Sequence, residues 1–166
     1  LELYGLYDSS EYNRDIIYGQ FDNRHWMGAL IYQVHHYTHK RKDYYITFGW
    51  DGQDAKTTRK IIDVLWFDEE GKPNFGEEIF DFDGDLQSRI IFDFNDRAAM
   101  TMRYDKNEQA ILFANLVPIN PMMVGIYENY VPDGTYDFLK LEKGIWRRYK
   151  IAFDDRRKNS NDLRKY

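Results

Sequence analysis

From Trp26 to Ile151 the chain is cut into short apolar and aromatic runs, many alternating with period two, and each run ends at turn-forming residues. Successive side chains of a strand point to opposite faces. Ala99-Met100-Thr101-Met102-Arg103-Tyr104 therefore puts Met100, Met102 and Tyr104 on one face and Thr101 and Arg103 on the other, as a half-solvated antiparallel strand does. Similar runs are Trp26 to Val34, Tyr44 to Trp50, Lys60 to Phe67, Lys72 to Phe82, Arg89 to Phe94, Ala110 to Phe113, Gly125 to Tyr127, Tyr136 to Leu141 and Trp146 to Ile151. The breaks between them are turn chemistry: Asp51-Gly52, Asp68-Glu69-Glu70-Gly71, Asp83-Gly84, Asn95-Asp96, Pro132-Asp133-Gly134 and Glu142-Lys143-Gly144. Pro118 to Pro121 must be irregular, because proline cannot donate to a ladder.

This pattern predicts an all-β fold, an antiparallel meander of about nine or ten strands, barrel-like or sandwich. Tight hairpins between consecutive strands favour the barrel-like form. Thr57 to Leu65 could open a helix on a threonine cap, but its β-branched residues and the aromatics that follow favour a strand. Around a β domain at 26–153 the sequence predicts an N-terminal strand with an irregular connection over 1–25. A mobile polar tail is expected over 154–166, where one aliphatic residue stands.

Composition narrows the chemistry. The chain has no cysteine, which excludes thiol catalysis, cysteine zinc sites and disulfides. A net charge of -5 argues against nonspecific nucleic-acid binding. Mean hydropathy is -0.73, and no apolar run approaches the roughly 20 residues of a membrane helix. The unusual abundance is aromatic: 14 Tyr, 11 Phe and 4 Trp, 17% of the chain. One fully buried aromatic covers about 200 Å² and brings a gross hydrophobic gain on the order of 5 kcal/mol. Most of the rings are accordingly expected inside a sheet core. Stacking against sugars or peptides is the other use of surface Trp and Tyr.

Candidate sites are sparse. No G-x-S-x-G elbow, Walker loop, G-x-G-x-x-G or H-E-x-x-H motif occurs, and no cofactor is expected. His35 and His39 share a strand face about 13 Å apart, too far to hold one ion unless the tip bends, so a polar hairpin tip is the simpler reading. Asp81, Asp83 and Asp85 alternate like calcium-loop carboxylates, but Gly84 stands fourth and Phe92 twelfth where an EF-hand needs Gly sixth and Glu twelfth. Asp63, Asp93, Asp133 and Asp137 lie in or beside apolar runs, where a carboxylate either faces water or has a raised pKa and a use. The wet face is expected, since Asp63 and Asp93 alternate with their aromatic neighbours. For a hydrolase acting on glycans or peptides the catalytic candidates are Asp133, Asp137 and Asp51. The turns at Gly52 and Gly134 invite positive φ, with Asp51 and Asp133 accepting backbone N–H bonds and Trp50 and Tyr136 anchoring on the core. Together with Tyr130, Trp50 and Tyr136 are the candidate binding aromatics.

Several phrases carry a family resemblance: Trp26-Met27-Gly28-Ala29-Leu30, Tyr44 to Gly52, Arg59 to Leu65, Pro73-Asn74-Phe75-Gly76, Ile79-Phe80, Arg89 to Phe94, Met102-Arg103-Tyr104-Asp105 and Tyr130 to Asp137. Over most of its length the chain resembles an uncharacterised family of envelope or secreted proteins from Bacteroidetes-type bacteria. The resemblance implies a position in the periplasm or at the outer membrane, in a longer precursor carrying a secretion signal, and assigns no activity or functional residue. Where the family pattern has an Asp-His pair this chain reads Phe113-Ala114-Asn115-Leu116, which weakens a catalytic use of that position. The functional expectation is a noncatalytic envelope accessory or binding module with a protein partner, a glycan being the further candidate ligand.

Overall fold

The computed structural model describes residues 2–151; the tail expected over 154–166 lies outside them. The chain forms β1 (Phe21–Asp22), β2 (Leu30–His39), β3 (Lys42–Asp51), β4 (Thr57–Phe67), β5 (Pro73–Phe75), β6 (Phe80–Phe82), β7 (Asp85–Gln87) and β8 (Ile90–Asn95). After these come β9 (Met102–Asp105), β10 (Ala110–Pro118), two 3₁₀ turns (Pro121–Met123 and Tyr127–Asn129), β11 (Tyr130–Glu142) and β12 (Ile145–Lys150). Thr57 to Leu65 is strand, as its β-branched residues predict.

The twelve strands among the described residues make two sheets facing each other. The first is ordered β1-β5-β4-β3-β2, with β8 also pairing β4; the second is β7-β6-β12-β11-β10-β9. All pairs are antiparallel except β12 with β6. The favoured barrel-like closure is thus replaced by a sandwich. The reason is visible where β2 and β9 meet: Tyr32 donates to the Met102 carbonyl at 2.7 Å, and the Gln33 amide exchanges two hydrogen bonds with the Tyr104 backbone, at 2.9 and 3.2 Å. A side-chain amide can imitate one peptide, but it cannot continue a ladder.

Strand count and bounds differ from the sequence reading at identifiable residues. Lys72 to Phe82 is not one strand. Gly76, at φ +85, breaks it into β5 and β6, which join different sheets. Gly28, at φ +68, delays the first long strand until Leu30. Gly125 to Tyr127 leads into a 3₁₀ turn rather than a strand. Pro132-Asp133-Gly134 does not end a strand but swells it: β11 pairs Tyr136 with Ala114 and Pro132 with Leu116, leaving Asp133 to Thr135 opposite Asn115. Gly71 and Gly84 do take positive φ in their turns, whereas near Asp51 the left-handed residue is Gln53, not Gly52.

Between the sheets lie Phe48, Phe80, Phe94, Phe113 and Trp146 with Ile46, Ile62, Val64, Ile111 and Leu139, all nearly inaccessible. A smaller cluster, Met27, Ala29 and Ile61 with Ile16, Phe21 and Ile91, fastens the N-terminal segment to the outer face of the first sheet. No helix among the described residues is long and apolar enough to cross a membrane.

The wet-face expectation for Asp63 is wrong. It is buried beneath the N-terminal segment, where Arg89 Nε donates to its carboxylate at 3.0 Å. Arg89 also donates to the backbone carbonyls of Ile16, Gly19 and Phe75. Only glycine fits at 76, because a Cβ there would lie 2.3 Å from Arg89 Nη2.

Candidate functional site

Two features beyond the core gather chemistry: a polar network at one margin of the second sheet and an apolar loop at the end of the sandwich.

The network is centred on Arg148 of β12. Alternation places Trp146 and Arg148 on the same face, so the guanidinium enters the inter-sheet space where the apolar core runs out. It lies over the Phe82 ring, 4.2 Å from the centroid. Its Nε and Nη2 donate to Asp137 Oδ2 at 3.0 and 2.6 Å, and its Nη1 donates to Asp83 at 2.9 Å. Nη2 also reaches Asn115 at 3.3 Å. From there the chain of bonds runs Asn115 Nδ2 to Thr135 Oγ1, then Thr135 Oγ1 to Asp133 Oδ1, at 2.9 and 2.7 Å. Lys150 stands 3.5 Å from Asp83. The bulge in β11 is what brings Thr135 opposite Asn115. In chemical terms this network fixes charges by pairing them, and Asp137 spends one oxygen entirely on Arg148.

The loop runs between β10 and β11. From Gln109 to Tyr127 the sequence holds no Asp, Glu, Lys, Arg or His. Met122 is 90% exposed and Val124 70%; Ile119 and Ile126 are also exposed. Asn120 caps the first 3₁₀ turn by accepting from the Met122 N–H at 2.9 Å. At the base, Asn95 donates to the Glu128 carbonyl at 2.6 Å, Lys56 stands 3.2 Å from the Glu128 carboxylate, and Tyr127 packs against Tyr130 with 5.2 Å between ring centres. A cleft of about 370 Å³, lined by Gln53, Asp54, Asp93, Ile126 and Tyr127 among others, separates the loop from the β3–β4 turn. A larger trough of about 610 Å³, walled by Tyr45, Trp66 and Phe67, is already furnished from within: Lys42 lies 3.5 Å from the Trp66 ring centre and 2.6 Å from Glu77.

The structure brings only part of the sequence-derived site together. Asp133, Asp137 and Asp83 join one network. Asp51 sits in the other sheet, where it accepts from the Gln53 N–H at 3.1 Å and pairs in register with Arg59. Asp81 is bonded to Arg147, and Asp85 accepts from Tyr18 at 2.9 Å, so the three alternating aspartates face three different partners. His35 is half-buried against Tyr104, with 3.5 Å between ring centres, while His39 lies at the hairpin tip beside Gly144. Among the described residues no group of three or more His, Asp or Glu is placed to hold a metal ion.

Trp50 and Tyr136 do not anchor turns on the core, since both are exposed, at 41% and 36%. Tyr130 does anchor, its hydroxyl accepting from the Gly125 N–H at 3.0 Å. Asp93, expected on the wet face, is half-buried and held by Arg59 at 2.7 and 2.8 Å. Sequence reasoning missed Arg148, Asn115 and Thr135. The available signal was an arginine in register with inward aromatics, which demands an inward carboxylate.

No family model, curated protein or solved structure matches the chain.

Proposed function

We propose that this chain is a noncatalytic binding module, an accessory component of a bacterial envelope assembly, and that the β10–β11 loop is its contact surface. One observation carries the reading: the loop exposes Ile119, Met122, Val124 and Ile126 on a backbone that is capped and hydrogen-bonded, so the exposure is built into an ordered structure. Scattered apolar residues on a surface need no explanation, but a contiguous group marks a contact region. The carboxylates out of the solvent support the same reading, because buried Asp63 and Asp137 and half-buried Asp93 are each committed to an arginine. The envelope setting rests on the family resemblance.

A photo-crosslinking residue placed at position 122, with position 69 as the control, tests this in cells. An adduct of protein or lipid from 122 but not from 69 is expected. No adduct from 122, or equal adducts from both, would overturn it.

A further inference from the structure

The side chains of the tip offer a partner almost nothing to hydrogen-bond. Between Ile119 and Ile126 the only polar side chain is Asn120, and its Oδ1 already accepts from Met122. Several backbone N–H groups are used as well: Ile119 donates to Asn129, Met123 to Asn120, Ile126 to Met123 and Gly125 to the Tyr130 hydroxyl. A surface for a folded protein ordinarily carries a polar rim and buries about 800 Å² a side over some 20–30 residues. A tip of bare aliphatics with no charged side chain suits the boundary of a lipid layer instead, where apolar side chains reach the acyl chains while the backbone stays among headgroups and water.

The surroundings suit the same environment. Tyr127 and Tyr130 pack tilted against each other at the base, and amphipathic rings of this kind sit between hydrocarbon and water. The charged groups at the base are Lys56, paired with Glu128, Asp93, paired with Arg59, and Asp54, whose carboxylate accepts from Lys56 N, Thr57 N and the Thr57 hydroxyl. That rim has no basic excess, so it would gain nothing from an anionic surface.

We infer that the β10–β11 loop inserts Ile119, Met122, Val124 and Ile126 into the surface of a lipid layer, driven by apolar burial rather than by headgroup charge. This rests on the loop being the contact surface proposed above, and it names the partner.

Flotation of the full chain with phosphatidylcholine vesicles tests it, in parallel with vesicles containing phosphatidylserine and at low and high salt. Binding to both compositions, unchanged by salt, is expected. The double substitution Met122→Asp and Val124→Asp should weaken it at least about tenfold. Val34→Asp, at an exposed apolar position on β2, should not. Circular dichroism confirms that the variants fold, and Met122→Trp should show a blue-shifted emission quenched by brominated lipid. Absence of flotation, flotation indifferent to the loop substitutions, or binding confined to anionic vesicles and abolished by salt would each overturn the inference. A protein adduct at position 122 without flotation would remove the lipid and leave the binding module; neither adduct nor flotation would remove both.

Discussion

Asp63 and Asp137, the buried aspartates among the described residues, each pair with an arginine, and their surroundings make the two pairs different devices. Arg89 is 0% exposed, and apart from Asp63 its bonds go to backbone carbonyls of Ile16, Gly19 and Phe75. It clamps the N-terminal segment to the first sheet. Arg148 is 15% exposed, and its bonds go to the side chains of Asp137, Asp83 and Asn115. A charge bonded to backbone is held by the fold and holds it in return. A charge bonded to side chains can be edited one partner at a time, with water near enough to replace what is lost.

Breaking the first pair should have the largest effect. Arg89→Met leaves Asp63 buried without its partner and is expected to cost about 3–5 kcal/mol in chemical denaturation. New cleavage between Ser9 and Arg24 should appear in limited proteolysis. The double variant with Asp63→Val should recover part of that loss, because a matched apolar pair removes the unpaired charge. Full additivity of the two losses would contradict the clamp. Asp137→Ala in the second pair should cost less, about 1–3 kcal/mol, since Arg148 keeps Asp83, Asn115 and access to water. A loss equal to that of Arg89→Met would erase the distinction.

A pH series sharpens the comparison by isolating a third group. Burial, then the charges of His36 and Lys106, hold the pKa of His35 below its usual 6.5. Folding thus disfavours its protonation. Its contribution is intact above the unfolded value and is lost as pH falls from there toward the lower folded value. His35→Gln should flatten the fall in stability between about pH 7 and pH 5, and an unchanged slope would place the acid sensitivity elsewhere. Smallest of all, Asp83→Asn should change stability by only a few tenths of a kcal/mol, because that carboxylate is half exposed and its pairs are screened.

The strands were legible because alternation is local. Met102 and Tyr104, or Ile46 and Phe48, declare their faces within a few residues. The hairpin tips at Gly84 and Gly144 were legible for the same reason, since positive φ is a property of one residue. The break at Gly76 was not. Its glycine is required by an arginine thirteen positions away in the sequence, and nothing near it announces that. Asp63 was misassigned on like grounds: period-two alternation gives its face, but only the N-terminal segment folding over that face makes it interior.

The contact loop divides in the same way. Its freedom from charge is written in the chain from Gln109 to Tyr127, yet such a run reads equally well as core. Exposure of Met122 and Val124 follows from where β10 and β11 end and from the caps that turn the loop outward.

By itself the sequence determined an all-β chain, most of its strands and its tightest turns, because these depend on side-chain alternation and backbone preference over a few residues. Only the tertiary structure decided sandwich over barrel, which arginine meets which aspartate, and which apolar residues stay outside. Those outcomes depend on segments distant in sequence competing for the same neighbours, and burial is a property of the assembled whole.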